Sequence, residues 1–317
     1  MKETPVLSVI IPTYNTSDLL GRCIEYVLNQ TLQEIEIIII DDCSTDTTEQ
    51  VINHYINKTD KKIKHIKNAK NSGIGYSRNI GIDLSEGEFI AFVDSDDWVD
   101  SSLFSTIIMK MQEENADIGI FGVKDEFDDC NSSKKRYDYK YNILDNEFAL
   151  RLLSRSENND VYISPMVTQK VYRKSFLKNN NIFFRTNCYF DDVEFTFMCF
   201  TYSCKLISVP DVFYHYYQRN GSLMHSFSKK HIDDFWEVMS HLKLMLENKH
   251  IWERYKQFYY KYFHKTLRSL MNTMFSSEQL VVNQKKYLLY FLNKSKTFSI
   301  NELIEYWDIG YIRRLLL

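Results

Sequence analysis

The residues best suited to chemistry in this 317-residue sequence stand at the end of an apolar run. Phe89-Ile90-Ala91-Phe92-Val93 leads directly into Asp94-Ser95-Asp96-Asp97. A buried strand that presents several carboxylates at its tip is electrostatically costly unless positive charge gathers there. Hard oxygen ligands on a strand end suit Mg²⁺ or Mn²⁺, which take few carboxylates and complete their shells with phosphate oxygens. The plain alternative is a helix cap or a solvated turn before Ser101-Ser102, and an Asp-x-Asp tripeptide alone does not decide between them.

A second group is Asn71-Ser72-Gly73-Ile74-Gly75, followed by Ser77-Arg78-Asn79. Two glycines opening a helix allow backbone to approach an anion, and Arg78 adds a planar charged fork. A simple loop before a helix is the alternative. The spacing is not the dinucleotide fingerprint, because it follows a third strand and its third glycine is out of place, so hydride transfer is disfavoured. A third group is Asp191-Asp192, opening an apolar helix in Tyr189-Phe190-Asp191-Asp192-Val193-Glu194-Phe195. There the carboxylates complement the helix dipole, or Asp192 faces a cleft as a general base.

The elements that must position these groups alternate between two hydrophobic periods. Leu7 to Ile11 reads as a buried strand stopped by Pro12, and Glu36 to Ile40 as a second strand ending in Asp41-Asp42. Ile63 to Ile66 is a weaker third strand and Phe89 to Val93 a fourth. Between them lie a helix capped by Ser17 or Asp18, one opened by an Asp46/Glu49 capping box, and one through Arg78 to Leu84. Such alternation implies a parallel, doubly wound α/β sheet whose ligands bind beyond the carboxyl ends of the strands. Thr13, Tyr14 and Asn15, Asp41 and Asp42, and Asp94 to Asp97 occupy those ends. The polar stretch Lys124 to Lys140 reads as an exposed loop or edge, Leu206 to Tyr217 as β-like, and the chain from Lys229 onward as helical, which puts a boundary near residue 226.

Bulk properties exclude several classes. A formal charge of -3 makes no case for nucleic acid, although residues 229–317 carry 15 Lys and Arg against 9 Asp and Glu. That basic tail could touch anionic lipid or an anionic acceptor, or simply be the solvated face of ordinary helices. Six cysteines without paired spacing read as reduced thiols, and neither a secretory signal nor a membrane-length apolar run is present, so a cytoplasmic protein is expected.

In order along the chain, these motifs resemble glycosyltransferase family 2. The resemblance rests on Val9-Ile10-Ile11-Pro12-Thr13-Tyr14-Asn15, Ile39-Ile40-Asp41-Asp42-Cys43-Ser44-Thr45-Asp46, Asn71-x-Gly73, Ser77 to Gly81, and Gly87 through Asp94-Ser95-Asp96-Asp97-Trp98. It continues through Lys170-Val171-Tyr172-Arg173, Asp191-Asp192, Tyr214-x-Tyr216 and Ser222, over roughly two-thirds of the chain. It implies the GT-A fold, a Rossmann-like, mostly parallel sheet with helices on both faces, here with a C-terminal helical extension. The implied division is a catalytic domain over 1–226 and a helical region over 227–317 for acceptor, oligomer or membrane contact.

The same resemblance implies the site. Pro12, Thr13, Tyr14, Asp42, Asn71, Gly73, Arg78, Asp94 and Ser95 would bind the donor nucleotide, with Asp42 on a uracil-type base, Tyr14 packing near it and Arg78 on the nucleotide or its diphosphate. Asp96 and Asp94 would hold Mn²⁺ or Mg²⁺, Asp192 would be the base, and His225, in preference to His215, would contact the metal. The expected activity is inverting transfer of a sugar from a nucleotide donor, expected to be UDP-linked, to a hydroxyl of a glycan or lipid-linked oligosaccharide, with peripheral contact on the inner face of the cell membrane and self-association as further options. Cys43 stands where the family commonly has Gly, Asp191 where it has Glu, and Thr168-Gln169 where many relatives carry Trp-Asn on the acceptor side. A sugar nucleotidyltransferase and a catalytically inert nucleotide-sugar binder are the competing readings. The first would carry a basic Gly-rich loop where Pro12-Thr13-Tyr14-Asn15 stands.

Overall fold

A computed structural model describes residues 4–127, 133–137, 140, 142–155, 162–203, 205–218, 227–276, 287, 290–291 and 294. The first part of the chain runs β1 (Leu7–Thr13), α1 (Ser17–Leu28), β2 (Ile35–Asp41), α2 (Thr48–Lys58), β3 (Ile63–Lys67), α3 (Ile74–Leu84) and β4 (Phe89–Phe92). Next come β5 (Trp98–Val99), α4 (Leu103–Glu113), β6 (Ile118–Phe127), β7 (Ser133–Tyr137), β8 (Asn142–Leu144) and α5 (Asn146–Leu153). β9 (Lys170–Arg173), α6 (Lys174–Asn179), α7 (Asp191–Tyr202), β10 (Leu206–Gln218), α8 (Lys229–Asn248) and α9 (Trp252–Ser276) complete it.

The strands form one sheet in the order β3-β2-β1-β4-β9-β6-β10-β5, with β7 beside β6 and β8 beside β10. β3, β2, β1 and β4 are parallel, as are β6 and β10, while β9 and β5 run against their neighbours. The alternation in the sequence therefore identifies the parallel block, but β9 enters antiparallel between β4 and β6. Val9 to Ile11, Ile37 to Ile40 and Phe89 to Val93 are at most 1% exposed and form the centre of the core. Because the chain winds outward through β2 and β3 and returns to β4 on the other side of β1, the order reverses at β1 and β4. Crevices for ligands open at such reversals.

Several local expectations are corrected. Pro12 does not stop β1, which runs on to Thr13. Pairing with β4 ends at Ile10 and Phe92, so the missing Pro12 N–H removes no ladder bond. The Asp46/Glu49 capping box does not form. Asp46 instead accepts from the Thr48 and Ser17 amides, and Glu49 pairs with Lys67. Thr16, rather than Ser17 or Asp18, precedes α1, and α3 begins a turn earlier than Arg78. The reading of the polar stretch from Lys124 as a loop or edge holds as an edge, with β6 continuing to Phe127 and pairing antiparallel with β7. Gly81 lets α3 settle onto β1, since a Cβ there would lie 2.4 Å from the Ile10 side chain.

The chain separates into two compact units, one of residues 1–149 and 164–220, the other of 150–163 and 221–317. The first contains the whole sheet. In the second, α8 opens with a capping box between Ser228 and His231, and α8 and α9 pack through Phe235, Trp236 and Phe263, with the Tyr259 hydroxyl donating to the Met239 carbonyl. No helix among the described residues is long and apolar enough to cross a membrane.

Candidate active site

The loops after β1 and β2 are tied into one surface. Asn15 adopts a left-handed φ of 50°, donates its amide to Ser44 and accepts from the Thr45 amide. The Thr13 and Thr16 hydroxyls lie 2.7 Å apart, and Thr16 donates to Ser95 at 3.0 Å, which links the end of β1 to the turn after β4. Pro12, Thr13 and Ser95 are buried in this lattice, whereas Tyr14 is 46% exposed.

Asp42 is 4% exposed and organises the next loop. Its carboxylate accepts from the Asn68 amide, from the Ser72 N–H, and from the Gly73 N–H at 2.8 Å. The two backbone N–H groups just ahead of α3 thus face the protein's own carboxylate. Gly73 is needed for its φ of 88°, and Gly75 for the approach of the Arg185 carbonyl, which would lie 2.4 Å from a Cβ. Asn71 is exposed at the tip of the loop.

Cys43 has a φ of 67°, the left-handed conformation a glycine would adopt without strain. A side chain there costs about 1–2 kcal/mol, while the extra unfolded-state freedom of glycine costs about 0.4–1 kcal/mol. Cys43→Gly is therefore expected to stabilise by about 0–1.6 kcal/mol. The urea midpoint is the check. A midpoint at or below wild type would mean that the Cys43 contact with the Ala69 carbonyl outweighs the strain.

Asp94 to Asp97 is a β-turn closed by the Asp97 N–H on the Asp94 carbonyl, not a helix cap. Its side chains divide by role. Asp97 is wholly buried, accepting from the Tyr214 hydroxyl and the Tyr217 N–H, and Tyr214 also receives the Asp94 N–H. Asp94 and Asp96 remain half-buried toward the crevice. Burial, and then the carboxylates of Asp96 and Asp94, push Asp97 well above the usual carboxylate range. Asp94 is met by Arg78, and two partly exposed carboxylates are the kind of set Mg²⁺ or Mn²⁺ takes from protein when phosphates supply further oxygens. Among the described residues no group of three or more His, Cys, Asp and Glu converges as a cage.

Arg78 joins this turn to α7. One terminal nitrogen donates to Asp94 at 3.0 Å and the other to Asp191 at 3.1 Å, with the guanidinium 5.3 Å from the Phe184 ring and Nε without a partner. Burial works against its charge, but Asp94, Asp191 and Asp192 more than offset that, so its proton is held more tightly than usual. In this arrangement the fork expected on the diphosphate is committed to two carboxylates.

Asp192 is half-buried, and its direct hydrogen bond is from the Val193 N–H. Burial raises its pKa, opposed by Arg78, the Val193 N–H and Lys170, and burial likewise raises that of Asp191 despite Arg78. Lys170 is buried, and its ammonium donates to the Ser164 and Met166 carbonyls. α7 is further held by the two-pronged Arg185–Glu194 pair and by Phe195, stacked on Phe184 at 3.9 Å.

Both ring nitrogens of His215 face carboxylates, Glu126 and Asp100, which leaves neither for a metal. His225 lies outside the described residues. Thr168 and Gln169 are buried, and Gln169 donates to the Phe121 carbonyl. Two anchoring partners were not foreseen. Arg22 donates to the Asp96 carbonyl, and Asn79 exchanges two hydrogen bonds with the Phe184 backbone. Asn79 sat within a noted motif, whereas the α1 pattern gave Arg22 no signal beyond a polar place.

Residues 8–180 match the profile described as Glycosyl transferase family 2. Glycosyltransferase GlyG of Streptococcus pneumoniae serotype 4 is 29% identical over 242 residues, 74% of this chain and 78% of that protein. The poly(ribitol-phosphate) beta-N-acetylglucosaminyltransferase TarS of Staphylococcus aureus is 28% identical over 78% of this chain, which spans 42% of TarS. Among solved structures, TarS 1–349 in complex with UDP-GlcNAc superposes with a TM-score of 0.61 at 23% identity, covering 92% of this chain and 73% of that one. The mannosyltransferase PcManGT of Pyrobaculum calidifontis, with GDP-Man and Mn²⁺, gives 0.55 at 12% identity, covering 96% and 88%.

Proposed function

The chain belongs to glycosyl transferase family 2 and is a glycosyltransferase of the GT-A fold, and on that premise we propose that it moves a sugar from a UDP-linked donor, with inversion, onto a hydroxyl of a glycan or lipid-linked glycan. The observation that carries this reading is the convergence of Asp94 and Asp191 on Arg78, with Asp192 next in the chain. It supports a reading with the diphosphate on the Asp94 side and the base on the Asp192 side of one guanidinium.

In this reading Tyr14 packs near the base, while Asp42 holds the loop beneath it. Asp94 and Asp96 would hold Mn²⁺ or Mg²⁺, which when bound neutralises charge on the diphosphate. Asp192 takes the proton of the acceptor hydroxyl. That oxygen bonds to the anomeric carbon, and the bond from this carbon to the diphosphate breaks with its electron pair leaving on UDP. Residues 227–317 would serve acceptor, self-association or peripheral membrane contact on the cytoplasmic side.

The test is UDP release and glycan product from UDP-Glc, UDP-Gal, UDP-GlcNAc and UDP-GalNAc, with GDP-Man as contrast, each with and without Mn²⁺. Asp96→Ala is expected to lose the Mn²⁺-stimulated part of turnover while keeping the wild-type fold by circular dichroism. Turnover unaffected by chelation, and equal in Asp96→Ala, would dismiss the metal. Turnover confined to GDP-Man would dismiss the UDP donor.

A further inference from the structure

Asp96, the residue proposed above as the main cation ligand, stands in a turn whose backbone is gripped from α1. The peptide between Asp96 and Asp97 is held at both ends. Its N–H donates to the Asp94 carbonyl at 3.0 Å, and its carbonyl accepts from Arg22 at 2.7 Å. With both ends fixed the peptide cannot rotate, so the direction in which Asp96 leaves the turn is set. The neighbouring Cys23 thiol lies 3.6 Å from the Asp94 carbonyl, a second point of contact from the same helix.

Arg22 is itself held between aromatic rings, and no acid among the described residues pairs with it. Its guanidinium lies 4.0 Å from the centroid of Trp98 and 4.6 Å from that of Tyr217. Trp98 also stacks on His215 at 5.3 Å with the planes 9° apart, and His215 is gripped by Glu126 and Asp100. Tyr217 gives its backbone N–H to Asp97. Packing therefore runs from a clamped histidine, through an indole, to a guanidinium and on to the carbonyl of the turn. A planar cation between rings keeps its in-plane donors free, which is why arginine suits this place better than lysine.

We infer that Arg22 is a positioning residue for the cation and diphosphate, acting through the Asp96 carbonyl and braced by Trp98 and Tyr217. This rests on the metal reading proposed above. Outer partners that orient a metal ligand typically change metal affinity by 10–100-fold when removed.

The experiment measures Mn²⁺ affinity calorimetrically in the presence of saturating UDP, and UDP affinity with the metal chelated, for wild type, Arg22→Ala, Arg22→Gln and Arg22→Lys. Arg22→Ala is expected to weaken Mn²⁺ by about 10–100-fold while UDP affinity without metal stays at the wild-type value. Arg22→Lys, which keeps a cation near the rings and a donor toward the carbonyl, is expected to recover part of the loss. If Arg22→Ala does not fold, Arg22→Gln carries the same expectation. Wild-type Mn²⁺ affinity in the Ala or Gln variant would overturn the inference, as would a parallel loss of metal-free UDP binding, the mark of a damaged fold. A wild-type protein that binds UDP equally with and without Mn²⁺ would instead sink the metal reading, and this inference with it.

Discussion

Asp192→Asn is expected to lower turnover by about 10²–10⁴-fold while donor affinity stays near wild type. The asparagine keeps the shape of the side chain but cannot take a proton from the acceptor. Donor affinity is spared because the hydrogen bond of Asp192 is to the Val193 N–H and the proposed donor groups lie across Arg78. The pH profile gives a second view. Burial, with the charge of Asp94 adding to it, lifts Asp192 above the ordinary carboxylate range, against the pull of Arg78 and Lys170. The base works ionised, so kcat/KM should fall as pH drops through a value above the usual carboxylate pKa of about 3.9. The residual activity of Asp192→Asn should lack that limb. Near-wild-type turnover in Asp192→Asn would remove this residue from the role and turn attention to Asp191.

Arg78→Met is expected to cost about 3–5 kcal/mol of folding stability, because removing one member of a buried ion group leaves the others uncompensated. The burden falls unevenly. The Asp94 side chain is 28% exposed and can regain water, whereas that of Asp191 is 7% exposed and cannot. The loss should also depend on pH in a defined direction. Without Arg78 the folded-state pKa of Asp191 rises further above its unfolded value. The penalty is then fully present above the folded pKa and shrinks as pH falls toward the unfolded one. Urea unfolding at two pH values reads both effects, and adding Asp191→Asn should restore part of the loss. A stability equal to wild type at neutral pH would show that the triad contributes nothing to the fold.

Much of the donor half was legible because its signals are local. Apolar runs ending in polar residues identify β1, β2 and β4, and the parallel order follows from the helices between them. What stayed hidden depends on contacts distant in sequence. β9 has ordinary strand composition, and nothing in it says that it enters antiparallel, 78 residues after β4 ends, between β4 and β6. The four polar residues of the turn after β4 look alike in sequence. They are sorted only when Tyr214, more than a hundred residues away, buries Asp97 and leaves Asp94 and Asp96 toward the crevice. The two glycines also have packing reasons that spacing does not show, one a left-handed turn and the other a crossing of backbones.

The join between α3 and the segment ahead of α7 sets the unit in which this enzyme can be rearranged. Asn79 holds both backbone groups of Phe184, and Gly75 admits the next residue's carbonyl. A transplanted segment 183–192 from a relative with another acceptor would arrive with its own curvature and meet a helix shaped for this one. Recombination that respects the join would carry residues 73–79 together with 183–192 as a single cassette, although more than a hundred residues separate the two pieces along the chain.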